Sequence, residues 1–136
     1  MRAVYADTGF WVAYIDRSDP LHPRAAAVRD DHRNWPFVTS EFVLSETVTF
    51  LRRESDAQKA ADFGRQVLDG AVGTLLRTEP QDWPVGLSLI RQFSQLKLSF
   101  ADATSIAVVR RLDIPKIAAF DQHFSIVAPE REILKG

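Results

Sequence analysis

The stretch Ala3-Val4-Tyr5-Ala6-Asp7 is a short apolar run that ends at an acidic residue. Similar strand-like runs follow at Pro36–Thr39, Gly73–Thr78 and Ile117–Phe120, and Ser125–Val127 is a candidate for a fifth strand. Short strands that are apolar at nearly every position are typical of a parallel sheet covered by helices on both faces. The sequence therefore predicts an α/β fold, a three-layer α/β/α sandwich with a central parallel sheet of four to five strands.

Helical segments alternate with these strands. The predicted helices lie at Phe10–Ile15, Arg24–His32, Glu41–Arg53, Ala57–Leu68, Val85–Lys97 and Phe100–Leu112. Ser40 and Ser99 stand directly before two of them, where a serine side chain caps the first turn. Crossovers between parallel strands are right-handed, and ligands bind beyond the carboxyl ends of the strands in such sheets. We therefore look for chemistry at those strand ends.

The size and composition of the chain limit its class. Its 136 residues are enough for one domain, and we expect a single domain over residues 1–136. The chain is 46% hydrophobic and 26% charged, as is usual for soluble globular proteins, and it has no cysteine for disulfides or thiolate zinc sites. No apolar run approaches the roughly 18 residues of a membrane span, and the chain opens on a strand rather than a signal peptide. We therefore expect a cytoplasmic protein without membrane association.

The charge balance bears on how the protein could contact nucleic acid. Seventeen Lys and Arg residues against 18 Asp and Glu residues give a net charge of −1. Proteins that hold nucleic acid by bulk charge are usually basic, so this balance argues against binding of that kind but not against local contact by an enzyme. The two basic pairs, Arg52-Arg53 and Arg110-Arg111, are predicted to lie on solvated helix faces.

Two acids stand directly after predicted strands, Asp7 after the first and Asp121 after the fourth. Because the carboxyl ends of parallel strands meet at one edge of the sheet, both side chains are expected at the same cleft. An aspartate that forms a turn after a strand is also common. Each acid alone is weak evidence, but two at equivalent edges indicate a site.

Glu46 lies on the apolar side of its predicted helix. At about 100° per residue it falls between Phe42 and Phe50, with Val43 close in angle. A carboxylate among such neighbours is costly unless a cation or a metal ion pairs with it. A glutamate at the edge of the apolar stripe, bridged to Arg53, would explain the same pattern. The helical wheel leaves both interpretations open.

Asp102 has two possible roles. The pattern Ser99-x-x-Asp102 is a capping box, in which the acid only needs to reach back to the start of its helix. Asp102 is also close in angle to Ile106 and Val109, the side expected to face the sheet, and the helix dipole favours its ionised form. The local pattern favours capping, and it also allows a metal ligand.

Four carboxylates brought together repel one another, and a bound cation relieves the repulsion. A site built from oxygen ligands alone suits Mg²⁺ or Mn²⁺. Such ions polarise a phosphodiester, lower the pKa of an attacking water and stabilise the leaving oxygen. The acids are therefore compatible with phosphodiester hydrolysis.

Four short motifs carry these acids: Asp7-Thr8-Gly9-Phe10-Trp11, Ser45-Glu46, Leu98-Ser99-Phe100-Ala101-Asp102-Ala103 and Phe120-Asp121-Gln122-His123-Phe124. In this order and spacing they resemble the motifs of PIN-domain ribonucleases, above all the VapC toxins of bacterial and archaeal toxin–antitoxin pairs. The resemblance runs from residue 2 to about residue 128. It departs from the family at Gln122, where a basic residue is frequent, and at Glu54–Gly73, which carries no family signature.

The resemblance implies a PIN fold and a Mg²⁺-dependent endoribonuclease, with Mn²⁺ as an alternative ion. It also implies an RNA substrate, a homodimer and a VapB-like antitoxin as partner, for which the helices from Glu41 to Leu68 are the expected docking surface. Carried over by position, Asp7, Glu46, Asp102 and Asp121 would be the catalytic and metal-binding residues. The Thr8 hydroxyl would contact these residues without binding the metal itself.

Two other functions stay open. A catalytically inactive PIN-like module could bind RNA or protein, although all four acids are present here. A metal-dependent nuclease could instead act on DNA or on a small phosphate ester. The histidines match no common zinc pattern, and large aromatics are more often core or interface than base-stacking residues. These residues, expected to be structural or at the surface, are His22, His32, His123, Trp11, Trp35 and Trp83.

Overall fold

A parallel sheet of five strands lies at the centre of the computed structural model, which describes residues 1–136. The strands are β1 (Val4–Ala6), β2 (Phe37–Ser40), β3 (Thr74–Leu76), β4 (Lys116–Ala118) and β5 (Glu132–Leu134). Their order is β3-β2-β1-β4-β5, and every neighbouring pair is parallel. The predicted fold class is confirmed.

Helices connect the strands and flank the sheet. They are α1 (Thr8–Ile15), α2 (His22–Asp31), α3 (Glu41–Glu54), α4 (Ala57–Leu68), α5 (Asp82–Gln92), α6 (Phe100–Arg111) and α7 (Gln122–Val127). All the predicted helices are present, but α5 ends at Gln92 rather than at Lys97. Lys97 has a φ of 54°, a left-handed conformation that an α-helix does not contain. None of the helices is both long enough and apolar enough to span a membrane.

The prediction of a fifth strand at Ser125–Val127 is wrong, because these residues belong to α7. The Asp121 carboxylate accepts a hydrogen bond of 2.8 Å from the backbone N–H of His123 and so caps this helix. Phe124 and Val127, three positions apart, are both buried, as expected of one helix face. The fifth strand, β5, lies further along the chain at Glu132–Leu134.

The position of β1 in the sheet explains where the site forms. All three of its residues are fully buried, and the Tyr5 hydroxyl lies 2.7 Å from the Ser105 hydroxyl within the core. From β1 the chain first builds β2 and β3 on one side and then crosses to build β4 and β5 on the other side, so the strand order reverses at β1. A crevice opens at such a switch point, beyond the carboxyl ends of the strands. Asp7 and Asp121 follow the two adjacent strands, β1 and β4, at that edge.

Candidate active site

Four acids come together at the carboxyl edge of the sheet from four separate elements. Asp7 and Asp121 are the N-cap residues of α1 and α7. Glu46 lies in the second turn of α3, and Asp102 lies in the first turn of α6. The charges of Asp102 and Glu46 act on Asp7, and those of Glu46 and Asp121 act on Asp102. All the acids predicted for the site therefore share one electrostatic environment.

Asp7 is the most deeply placed of these acids. Its side chain is 5% exposed, and its Oδ1 atom is buried without a hydrogen-bond partner. Burial, together with the neighbouring charges of Asp102 and Glu46, raises the pKa of Asp7 to about 8. No cationic side chain pairs with it. A buried carboxyl group of this kind is destabilising unless something binds it.

Asp102 combines the two roles that its sequence pattern allowed. Its backbone N–H donates to the Ser99 hydroxyl over 2.9 Å, and its Oδ2 atom accepts from the Ser99 backbone N–H over 3.2 Å. The capping box is therefore complete. Burial raises the pKa of Asp102, and the charges of Glu46 and Asp121 raise it as well. The same carboxylate caps α6 and belongs to the acid cluster.

Glu46 is oriented by a residue from the first motif. The Thr8 hydroxyl donates a hydrogen bond of 2.8 Å to its Oε1 atom. Arg53, the cation that could have bridged to Glu46, pairs instead with the adjacent Glu54 at 2.9 Å. The half-buried Glu46 is thus tied to α1 rather than neutralised by a basic side chain.

The sequence did not indicate the position of His123. Its Nδ1 atom lies 3.2 Å from Oδ1 of Asp121 and 3.9 Å from Oδ2 of Asp102. The expectation of a structural or surface residue is therefore incomplete, because the ring lies between two acids of the site. The one signal in the sequence is its place two residues after Asp121, in the first turn of α7.

The chemistry of the acids decides whether they suit a divalent cation. All four donate carboxylate oxygens, the ligands that Mg²⁺ and Mn²⁺ prefer. A cation would relieve their mutual repulsion and supply the partner that Oδ1 of Asp7 lacks. No three acidic or histidine side chains lie close enough together to form a ready-made metal site. The fit to a divalent cation therefore rests on the carboxylate chemistry of the four acids and on the unpaired Oδ1 atom of Asp7.

Two cavities open beside the acids. One of about 360 Å³ lies between α3 and α6 and has Glu46 in its wall. The other, of about 490 Å³, is lined by Asp121, His123 and Lys97. A polymer that passes over the acid cluster would therefore find space on both sides of it.

The remaining histidines and tryptophans lie away from the cluster. The Nδ1 atom of His22 lies 2.8 Å from the Ala13 carbonyl oxygen, and that of His32 lies 3.0 Å from the Val28 carbonyl oxygen. Trp11 is fully buried in the core. The Arg2 guanidinium covers the ring of Trp35 at 4.5 Å, and the Trp83 side chain is 42% exposed on α5.

The sequence profile of the PIN domain matches residues 4–129. The chain belongs to the PIN-domain family. PIN-domain nucleases generally use divalent metal ions, which agrees with a cluster made only of carboxylates. The motif resemblance seen in the sequence therefore extends over most of the chain.

Relatives of this PIN domain include the 23S rRNA-specific endonuclease VapC20 from two strains of Mycobacterium tuberculosis. It is 35% identical over 130 residues, which are 90% of this chain and 92% of the relative. The crystal structure of Mycobacterium tuberculosis VapC20, a sarcin–ricin loop cleaving toxin, superimposes with a TM-score of 0.85 and 26% identity. That superposition covers 93% of this chain and 95% of VapC20. The prediction of a VapC-like PIN-domain ribonuclease is confirmed.

Two more distant structures share the PIN fold. FitAcB from Neisseria gonorrhoeae matches with a TM-score of 0.69 and 12% identity, over 96% of each chain. VapBC2 from Rickettsia felis, bound to a DNA fragment from its promoter, matches with a TM-score of 0.68 and 10% identity, also over 96% of each chain. At these identities the likeness shows the fold alone.

Proposed function

We propose that this PIN-domain ribonuclease is the toxin of a toxin–antitoxin pair and that it cleaves RNA with Mg²⁺ or Mn²⁺. Asp7, Glu46, Asp102 and Asp121 are proposed as its catalytic and metal-binding residues. The observation that carries the proposal is the buried Asp7 carboxyl group, which has a partnerless oxygen and a pKa raised to about 8. Such a group destabilises the fold unless a ligand binds it, so its presence at the sheet edge favours a cation site.

The four acids have different proposed roles in binding the cation. Asp7, Asp102 and Asp121 would hold it, directly or through water, and Glu46 would complete the site. When bound, the ion neutralises charge on the phosphate and lowers the pKa of nearby water. The Thr8 hydroxyl restrains Glu46 through Oε1, which leaves Oε2 free for a water or for the substrate.

The reaction is an in-line displacement at phosphorus. The oxygen of an attacking water bonds to phosphorus while the bond to O3′ of the RNA breaks. The water gives up a proton, and the leaving O3′ takes one up. The products are a 3′-hydroxyl and a 5′-phosphate.

The VapC20 relatives suggest which RNA to test first. They are named for 23S rRNA, and the crystallised VapC20 is described by its cleavage of the sarcin–ricin loop. We propose 23S rRNA, at that loop, as the first candidate substrate. The identity of 35% over 90% of the chain supports this choice.

The partner proposal concerns the whole chain acting as a single domain. A VapB-like antitoxin would restrain the enzyme, a homodimer would be its oligomeric form, and both would work in the cytoplasm. The surface proposed for the antitoxin lies on α3 and α4, where Phe50 and Leu68 are exposed. An antitoxin complex whose contacts avoid α3 and α4 would contradict this assignment.

The direct test is cleavage of total RNA by the purified protein, with Mg²⁺, with Mn²⁺ and with EDTA. We expect cleavage with either ion and none with EDTA. Asp7→Asn and Asp102→Asn should abolish cleavage in folded protein, whereas Asp69→Asn, at an exposed acid on the α4 C-cap, should leave it unchanged. Mg²⁺-dependent cleavage by either folded site variant would overturn the assignment.

The same samples separate the alternatives. RNA binding without Mn²⁺ binding in calorimetry would favour an inactive binding module. Cleavage of DNA or of a small phosphate ester in place of RNA would keep the metal site and change the substrate class.

A further inference from the structure

An aromatic groove borders the acid cluster on the side of α3 and α6. We use this name for the cavity of about 360 Å³ whose walls include Phe42, Phe50, Phe100, Arg53 and Glu46. Glu46 belongs both to the groove and to the acid cluster. Whatever fills the groove therefore lies directly beside the proposed site of cleavage.

The aromatic rings of the groove are not part of the main core. Phe50 and Phe100 are each 36% exposed, and the Phe42 and Phe100 rings meet edge to face at 5.3 Å. Adjacent apolar rings on a surface mark a place where something binds more often than isolated ones do. Their faces offer a flat apolar ligand a place to stack.

The groove also contains polar residues, which favour a ligand that is not purely apolar. Arg53 lies with its guanidinium 5.6 Å from the Phe50 ring, and its only ion pair is an exposed one with the adjacent Glu54. Exposed ion pairs of this kind are weak, so Arg53 can exchange Glu54 for an incoming anion. Two exposed residues with hydroxyl groups, Ser45 and Thr49, also line this cavity. Aromatic faces, hydroxyls and one cation together match a nucleotide.

The position of the groove favours a nucleotide as its occupant. Glu46 lines the groove, and its charge acts on Asp7 and Asp102 in the acid cluster. A phosphate held at the acid cluster would therefore bring the adjoining base within reach of the aromatic rings.

We infer that the aromatic groove is a nucleobase subsite, which stacks one unpaired base of the RNA beside the cleaved phosphodiester. Phe100 and Phe50 contact the faces of the base, and Arg53 contacts a neighbouring phosphate. This inference rests on the proposed function, since it places the cleaved bond at the acid cluster. Stacking tolerates any base, so the subsite selects for an unstacked nucleotide rather than for a sequence.

The test is a double-mutant cycle that combines removal of the Phe100 ring with removal of one base of the RNA. The probe is a hairpin with the sequence of the sarcin–ricin loop, intact or with a single abasic nucleotide on either side of the cleaved bond. Single-turnover cleavage at varied enzyme concentration gives the half-saturating concentration for the wild type, Phe100→Leu and Phe100→Tyr. Losing one base–aromatic stack should raise that concentration about 5- to 150-fold in Phe100→Leu, and Phe100→Tyr should restore it.

The cycle has a matched control and a diagnostic pattern. Trp83→Leu removes another exposed aromatic ring, outside both cavities beside the acids, and should change nothing. For the wild type, one of the two abasic hairpins should bind more weakly than the intact hairpin. For Phe100→Leu, that abasic hairpin and the intact hairpin should bind equally well, because the effects of removing two interacting groups are not additive. Circular dichroism of each variant verifies that it is folded.

The outcomes distinguish this inference from the proposed function. If the wild type cleaves RNA and the abasic penalties are equal in the wild type and in Phe100→Leu, the subsite is overturned while the ribonuclease stands. If Phe100→Leu keeps full RNA affinity but escapes inhibition by the antitoxin, the groove binds protein and the inference is wrong. If the wild type cleaves neither the hairpin nor total RNA with any ion, the proposed function and the inference fail together.

Discussion

Two buried carboxylates, Asp7 and Asp82, have opposite surroundings. Asp82 is 2% exposed, and it accepts two hydrogen bonds of 2.9 Å from Arg111 and one of 2.8 Å from the Glu79 backbone N–H. Burial would raise the pKa of Asp82, but these donors hold it below its ordinary value. Asp7 is 5% exposed, has no basic partner and has its pKa raised to about 8 by burial and by neighbouring acids.

This difference indicates that Asp82 has a structural role and that Asp7 is a ligand-binding residue. Asp82 is satisfied within the fold, where it joins α5 to α6 through Arg111. Asp7 carries a similar desolvation cost with no basic partner, and it lies next to Asp102 and Glu46. A cation supplied from solution can complete the Asp7 site in the way that Arg111 completes the Asp82 site.

The largest expected effect concerns catalysis. Asp7→Asn should lower RNA cleavage by about 10³-fold, because it removes a ligand from the cation that stabilises the transition state. Asp82→Asn should leave the cleavage rate per folded molecule nearly unchanged. Single-turnover rates at a temperature where both variants are folded check this. Equal losses in the two variants would remove the functional distinction between the two acids.

For stability the order should reverse. Asp82→Asn leaves the Arg111 guanidinium, whose side chain is 19% exposed, with only the more distant Glu79 carboxylate at 3.5 Å, and should cost about 3 kcal/mol of unfolding free energy, the low end for a broken buried pair. Asp7→Asn removes a buried carboxyl group that has no basic partner, and it should leave the metal-free protein equally stable or more stable. Urea unfolding in EDTA measures both. A large destabilisation by Asp7→Asn would mean that Asp7 has an internal partner.

Metal binding should show the next largest effect. An ion that binds only the folded protein stabilises it by about 2.7 kcal/mol at 100 times its dissociation constant. Mg²⁺ should therefore raise the melting temperature of the wild type and of Asp82→Asn. It should raise the melting temperature of Asp7→Asn much less. Ca²⁺ in a parallel titration shows whether the effect is specific to the smaller ion. An equal shift in all three proteins would indicate binding elsewhere.

The pH dependence of stability is the most gradual of these effects, and it has a definite sign. Folding raises the pKa of Asp7 from 3.8 to about 8, so between these values the folded state holds a proton that the unfolded state has lost. Without metal, stability should fall as pH rises from about 4 to about 8, by at most about 1.4 kcal/mol per pH unit from this group. Asp82 acts in the opposite direction, since its lowered pKa makes stability fall as pH drops through the acid range.

The difference between wild type and Asp7→Asn isolates this contribution from that of other titrating groups. We expect the difference in unfolding free energy to change steadily between pH 5 and pH 8 in EDTA, and to shrink when Mg²⁺ is present. A difference that is flat in EDTA would show that Asp7 has an ordinary pKa.

The sequence predicted those features that depend on local pattern. Apolar strands and the acids at their ends revealed the parallel sheet and placed Asp7 and Asp121 at one edge. The helical wheel indicated that Glu46 faces inward, because a 3.6-residue period survives in any tertiary context. The capping box of Ser99 and Asp102 could also be predicted, because it depends only on two residues three positions apart in the sequence.

Features that depend on distant contacts were not predicted. Arg111 was expected on a solvated face, but it pairs with Asp82, which lies 29 residues earlier, on another helix. His123 enters the site only because residues 122–127 form a helix capped by Asp121, and that short apolar segment also fits a strand. Helix α5 ends five residues early, at the C-cap Phe93, and Lys97 beyond it adopts a left-handed conformation; neither residue type signals such a stop in the sequence.

Calorimetric titration of Mn²⁺ at pH 7 in two buffers of different ionisation enthalpy tests the central claim most directly. If the Asp7 carboxyl group holds the proton that its raised pKa implies, Mn²⁺ binding should release about one proton in the wild type. Asp7→Asn should bind more weakly and release none, while Asp82→Asn should match the wild type. Mn²⁺ binding with the same affinity and proton release in Asp7→Asn would contradict the assignment of this acid as the centre of the metal site.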